Sequence, residues 1–307
     1  MEMTEFKLDK DSFFERFPKR ARDAHKGSCG RILLISGSYG MAGAACLNII
    51  GAKAVGAGYI CAAVPEEIYG IVASRHITPV FYPYDAKDDS GSVIKTIRSI
   101  KDLRAAAFGS GANNNPSKYR LLNGLLSECS CPLILDAEAL RLISEEHAGI
   151  TEASDGISSM PQYDLLKAAE CPVIITPHSG EFSALTGIPI HEIKGSDSIN
   201  AAAEFSEKND VITVLKDAET IVVSPDGRYY VNSTGNQGLA QAGSGDVLTG
   251  MTAAMCSLVE DPFEAACMAV FAHGLAADDL CRTHSKQTMP LEEIADAMDR
   301  LFFENGF

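Results

Sequence analysis

Short apolar, β-rich runs alternate with longer helix-like stretches along most of the chain: 31–37 (RILLISG), 59–64 (YICAAV), 104–111 (RAAAFGSG), 132–140 (PLILDAEAL), 172–181 (PVIITPHSGE) and 211–216 (VITVLK). Parallel neighbours need crossovers, usually helical, so this alternation predicts a mainly parallel sheet with helices on both faces. After Lys216 the pattern changes, and 219–232 (ETIVVSPDGRYYVN) reads as two strands about Pro225-Asp226-Gly227, an antiparallel edge to the sheet. The remainder is helical. Residues 244–260 and 261–280 are long apolar segments rich in Ala and Met, expected to pack on each other in the core, with Asp261-Pro262 as cap and first-turn pair of the second. The expected fold is α/β, one domain over residues 1–307 with an N-terminal arm or leading helix in 1–25. The polar stretch 144–164, containing Gly156 and Pro161, is expected to be a mobile surface insertion.

Composition narrows the partners. The 307 residues are 46% hydrophobic and 22% charged, ordinary for a globular protein. A net charge of −15 repels nucleic acid and anionic membrane, so an anionic ligand must be held by local donors. The nine cysteines sit mostly in apolar or small-residue runs, as at Cys46, Cys61, Cys171, Cys256 and Cys267, which suits reduced thiols in a cytoplasm. Cys129 and Cys131 form a C-x-C without a second pair at zinc spacing and read as structural thiols rather than a metal site. The N-terminus has no apolar core of secretory length and no later stretch approaches ~18 uninterrupted apolar residues, so neither export nor a membrane span is expected.

The chemistry gathers at strand ends. Ser36-Gly37, Gly109-Ser110-Gly111, Asp136, Thr176-Pro177-His178 and Lys216 all close apolar runs, and ligands of open α/β sheets bind outside the carboxyl ends of strands. Within 236–250 (NQGLAQAGSGDVLTG), Gly243-Ser244-Gly245 precede an apolar helix whose first free amides form an anion hole. Asp246 then has two readings. It compensates the helix dipole, worth ~0.3–1 kcal/mol, or it takes a proton from a hydroxyl attacking a phosphoryl group held by those amides. No G-x-x-x-x-G-K-[ST], protein-kinase set or G-x-G-x-x-G is present. The segment 36–45 (SGSYGMAGAA) reads as a ligand wall or a tight strand-to-helix turn, His178 as a ligand donor or as a surface or satisfied core residue, and Lys216 as solvated or as a phosphate partner.

The ordered set HKGSCG, SGSYGMAGAA, GSGANN, LILDAEAL, TPHSGEF, LKDAETIVV, NQGLAQAGSGDVLTGM and HGLAADD resembles the ADP- or ATP-dependent NAD(P)H-hydrate dehydratases of the ribokinase-like superfamily over most of the chain. The resemblance implies a ribokinase-like fold and repair of hydrated NADH or NADPH, in which a nucleotide phosphate converts the ring hydroxyl into a leaving group. It implies Asp246 as the base, Gly243, Ser244 and Gly245 as the anion hole, and Ala45, Gly111, His178 and Asp246 against the hydrated nicotinamide nucleotide. Lys216, Asp217, Ala218, Glu219, Thr220 and Gly245 match the adenine-nucleotide site. ADP or ATP enters as co-substrate with magnesium, for which no protein ligand is assigned; ADP is favoured because compact bacterial members generally use it. It also implies a homotetramer or larger assembly and a separate epimerase as functional partner, this chain being too short to hold that domain. Three departures from the family pattern stand out: Gly109-Ser110-Gly111-Ala112-Asn113 where G-P-G-L-G is usual, which loses the proline and the last glycine; Ala242 for the first of two glycines; and Glu138 for Asp. The rival readings are a ribokinase-like kinase of a small hydroxymethyl vitamin precursor, a non-catalytic nucleotide-binding protein, and a nicotinamide-dependent oxidoreductase.

Overall fold

The computed structural model describes residues 3–25, 29–87, 89–113, 116–145 and 166–307. Its ten strands are β1 Thr4–Glu5, β2 Arg31–Ile35, β3 Tyr59–Pro65, β4 Val80–Tyr84, β5 Ala105–Phe108, β6 Leu133–Leu135, β7 Val173–Ile175, β8 Val211–Leu215, β9 Ile221–Val223 and β10 Arg228–Val231. They form one sheet in the order β1-β10-β9-β8-β7-β6-β5-β2-β3-β4. Every neighbouring pair is parallel except the two made by β9, so the antiparallel edge is a single reversed strand.

Helices cover both faces, as the alternation predicts. Strand side chains alternate between faces: Ile32 and Leu34 belong to one apolar core, Leu33 and Ile35 to the other. The first core is closed by α1 Lys10–Arg16, α2 Ala42–Ala54, α3 Glu66–Arg75, α9 Ser244–Leu258, α10 Pro262–Leu280 and α11 Ile294–Glu304. The second is closed by α4 Asp89–Ser99, α5 Pro116–Glu128, α6 Glu138–Glu145, α7 Ser179–Thr186 and α8 Gly195–Asn209. As expected, α9 and α10 pack on each other, and Asp261 caps α10 by accepting from Phe263 N at 3.0 Å with Pro262 following.

The expected N-terminal arm resolves into β1, paired with β10, and α1, whose Phe13 and Phe14 are buried. Strand β4 is not foreshadowed by the apolar pattern: it carries Pro83, which an edge position tolerates because one side of the strand has no partner. The expected insertion at 144–164 lies outside the described residues apart from its first two positions, which end α6. All nine cysteines are free thiols, Cys129 and Cys131 among the buried ones. No helix among the described residues is long and apolar enough to cross a membrane.

Candidate active site

The carboxyl ends of the strands open into a cavity of about 750 Å³, walled by the segments that follow β6, β7, β8 and β10 and by α9 and α10. Gly243 caps α9 at φ 96°, a left-handed conformation open to glycine at no steric penalty. The first helical bond runs from Val247 N to Gly243 O at 3.1 Å, so the amides of Gly245 and Asp246 precede the ladder and remain available to an anion. Ser244 N instead turns back to Gln241 O at 3.4 Å. Asn48 of α2 donates to Asp246 O at 2.8 Å and so fixes this first turn from behind.

Beside the amides stands a charged cluster. Lys216 Nζ lies 2.8 Å from Asp136 Oδ1 and 4.0 Å from Glu181 Oε2. A β-carbon at Gly245 would lie 3.2 Å from that same nitrogen, which puts the ammonium beside the anion hole. The solvated reading of Lys216 is set aside, because only 20% of its side chain is exposed. Asp136 is buried, and its oxygens also accept from Thr176 Oγ1 at 2.7 Å and Ser110 Oγ at 3.1 Å.

The two aspartates are driven in opposite directions. Burial pushes Asp136 up, but the Lys216 charge and the bonds from Lys216, Thr176 and Ser110 outweigh it, leaving the group below the usual carboxylate range. Burial and the Asp136 charge push Asp246 up to about 6 against the opposing pull of Lys216 and a hydrogen bond with Ser110. Asp246 is thus a stronger base than an ordinary carboxylate while still mostly ionised at neutral pH, a condition that suits proton abstraction.

His178 caps α7: its Nδ1 accepts from Gly180 N at 2.9 Å and Glu181 N at 3.2 Å. That leaves Nε2 as the donor nitrogen, 3.6 Å from Glu181 Oε1. His178 and Lys216 form a parallel bridge that continues the sheet to the cavity rim. Beyond it, Asp217, Ala218 and Thr220 line the cavity while Glu219 is exposed and outside the lining. Ala45, fully buried on α2, and Gly111 are also outside it. Gly111 adjoins Ser110, whose hydroxyl reaches the cavity-lining Asp136, and this turn is held by Gly37 N donating to Ser110 O at 2.9 Å and Ser38 Oγ to Gly111 O at 2.8 Å. Glu138, the lengthened acid, is bound by Arg141 Nε at 2.7 Å.

The geometry adds residues that the sequence reading leaves without a role. Asp136 closes a strand like Lys216, but its contacts with Lys216, Thr176 and Ser110 span four strands. His273 sits inside an apolar helical run, lines the cavity, and has a buried Nε2 with no partner; burial and the Lys216 charge lower its pKa to about 4. Asp278, in the HGLAADD segment, accepts from Gly235 N and Asn236 Nδ2, each at 2.8 Å, and pins the loop ahead of the anion hole.

Residues 32–300 match the family model described as NAD(P)H-hydrate dehydratase. The chain is 32% identical over 285 residues to the ADP-dependent (S)-NAD(P)H-hydrate dehydratase of Bacillus subtilis, covering 93% of each. It is 30% identical to the bifunctional NAD(P)H-hydrate repair enzyme of Moorella thermoacetica, of which it spans 51%. A crystal structure of the Bacillus subtilis ADP/ATP-dependent NAD(P)H-hydrate dehydratase, co-crystallised with ATP and Mg2+, superposes with a TM-score of 0.79 over 97% of both chains at 30% identity. With the sheet order, the glycine-capped helix and the ordered motifs already in place, these matches make the chain a member of the NAD(P)H-hydrate dehydratase family.

Proposed function

We propose that this protein converts (S)-NAD(P)H-hydrate to NAD(P)H in a nucleotide-dependent dehydration, acting as one ribokinase-like unit over residues 1–307. The observation that carries the reading is Asp246, a carboxylate raised to about 6 in the first turn of a helix whose leading amides face the cavity. Hydroxide leaves poorly and phosphate well, so transferring a phosphoryl group to the ring oxygen divides one difficult elimination into two easier steps. In the first, Asp246 takes the hydroxyl proton as the oxygen attacks the terminal phosphorus of the nucleotide. In the Gly243-Ser244-Gly245 turn, the Gly245 amide and the adjoining Asp246 amide hold the charge on the transferring group, Ser244 N being turned back to Gln241 O. Lys216 adds its ammonium, Asp136 engaging one of its three N–H donors. In the second step the C–O bond breaks with its electrons on phosphate, and loss of a proton from the neighbouring ring carbon restores the double bond. With ADP the products are AMP, phosphate and NAD(P)H.

Ala45, Gly111 and His178 are assigned to the hydrate, and Lys216 to Thr220 with Gly245 to the adenine nucleotide; the lining of the cavity by most of the second set supports this. Magnesium would enter with the nucleotide and offset charge on its phosphates; no group of three or more acidic, histidine or cysteine side chains among the described residues could hold a metal ion. The bifunctional relatives support an epimerase partner supplied by a second protein. Free thiols at all nine cysteines support a cytoplasmic setting, and a homotetramer or larger assembly completes the reading. The test is incubation with hydrated NADH, ADP or ATP and magnesium, following the return of reduced-nicotinamide absorbance. Recovery is expected, with an acid limb in kcat/KM near pH 6. No recovery with either nucleotide, together with phosphorylation of a vitamin alcohol, would replace this reading with the kinase one.

A further inference from the structure

Four neighbouring strands, β5 to β8, converge on one buried carboxylate. Asp136, which follows β6, accepts from Thr176 Oγ1 after β7 at 2.7 Å, from Lys216 Nζ after β8 at 2.8 Å and from Ser110 Oγ after β5 at 3.1 Å. The backbone under these groups is itself held, by Asp136 N on Phe108 O at 3.1 Å, Thr176 N on Leu135 O at 3.1 Å and Lys216 N on Pro177 O at 2.8 Å. The side chains are 2% exposed for Asp136 and 20% for Lys216. An ammonium so covered loses much of its hydration and gives up its proton readily unless an opposite charge stands against it. Asp136 supplies that charge at hydrogen-bond distance, whereas Glu181 Oε2 is 4.0 Å away. The same ammonium lies beside the anion hole, 3.2 Å from the point that a β-carbon at Gly245 would occupy.

We propose that Asp136 is a positioning residue for nucleotide binding: framed by four strand ends, it fixes the Lys216 ammonium beside the Gly245 amide and keeps it charged for the phosphates. One N–H of the three is engaged by Asp136, and the others remain for phosphate oxygens. The hub is assembled by the sheet and not by the ligand, so the cation is in place before the nucleotide enters and little ordering is left to binding. Asp136 takes no proton in this role; it acts through Lys216. The other charged or titratable groups around Lys216 are Glu181 and His178 at the start of α7, Asp246 on α9, His273 on α10 and Asp217 next in the chain. Burial pulls the Lys216 ammonium down, but the charges of Asp136, Glu181 and Asp246 outweigh it and leave the group above its ordinary range. The inference rests on the cavity being a nucleotide site, but the charge on Lys216 can be read without any ligand.

Asp136→Asn removes the charge and keeps the bonds: the amide oxygen can accept from Thr176 and Lys216 while the amide nitrogen donates to Ser110 Oγ. Lys216 is titrated through its Cε and Nζ NMR signals in ligand-free protein labelled with 13C,15N-lysine, with Lys216→Gln to assign them. The midpoint is expected to fall by about one unit or more in Asp136→Asn, and by less in Glu181→Gln, whose amide still accepts from His178 N. Binding of ADP with magnesium is then measured by calorimetry at pH 7.5 and pH 9.5. Affinity falls as pH rises through the Lys216 midpoint, because the neutral amine no longer attracts phosphate. Asp136→Asn is therefore expected to bind within a few-fold of wild type at the lower pH and about ten-fold more weakly or worse at the higher. An unmoved midpoint, a larger shift in Glu181→Gln, or an affinity reduced equally at both pH values would overturn the proposal. If the wild type binds neither ADP nor ATP, the proposal falls with the nucleotide reading; ADP binding without NADH recovery removes the dehydratase reading alone.

Discussion

Asp246 and Asp136 share one pocket yet are held at opposite ends of the carboxylate range, and the partners around each explain why. Asp136 is the more deeply buried, but a lysine and two hydroxyls offset that burial; Asp246 is partly buried beside a negative charge and has less to offset either. The folded pKa of Asp246 lies above its unfolded value of 3.8, so its contribution to stability is complete below that value and is lost as pH rises through about 6. At neutral pH the ionised side chain therefore destabilises the fold. Asp246→Asn is expected to lower kcat by ~10²–10⁴-fold while raising the melting temperature by a few degrees, since a shift of this size corresponds to on the order of 1–3 kcal/mol. Steady-state kinetics and calorimetry at pH 7.5 and pH 4.5 would check both, and a loss of activity without any gain in stability at the higher pH would contradict the account. Asp246, His178 and Lys216 were legible in the sequence because each follows a strand end or opens a helix. The Ser110 and Asp136 bonds were not, because they join residues from separate crossovers whose proximity no local pattern encodes.

At the scale of elements, the site depends on how closely two helices cross. A β-carbon at Gly51 of α2 would fall 2.0 Å from Val247 O of α9, and one at Gly250 of α9 would fall 2.0 Å from Asn48 O of α2. Each helix thus presents a bare backbone to the other, and Asn48 reaches from that crossing to the Asp246 carbonyl. Gly250→Ala is expected to push the helices apart, destabilising by about 1–3 kcal/mol or more as overpacked cores do. It should also reduce activity beyond the loss in folded protein, since Asn48 then no longer fixes the first turn of α9. Equilibrium denaturation with activity normalised to folded protein would separate the two effects, and unchanged specific activity would break the proposed link. The helical pairing of α9 with α10 could be read from two apolar segments in succession. The short strands β1 and β4 could not, because β1 is two residues of Thr and Glu and β4 is interrupted by proline.

Across the whole molecule, the two termini share one aromatic cluster: Phe13, Phe14 and Phe17 of the leading segment pack against Phe271, Phe302 and Phe307. The N-terminal arm is therefore part of the core on the α9–α11 face. Phe13→Ala, which empties a fully buried position, is expected to lower stability by about 3–5 kcal/mol with little change in kcat. Urea denaturation and a kinetic assay would test this, and a marginal change in stability would show the arm to be dispensable. On the same side of the sheet as β1, β9 runs against its neighbours, so β8 and β10 both end at the cavity and the turn at Pro225-Asp226-Gly227 lies at the far end of the strands. The two loops left at the cavity are tied by Asn232 N donating to Thr220 O at 2.9 Å. One wall of the cavity is thus built by the same two strands whose turn lies at the other end of the sheet, where Arg228 pairs with Asp226 and with Asp261 at the start of α10. A spectroscopic label at Asp226 would therefore test whether nucleotide entry is felt at a position outside the cavity lining.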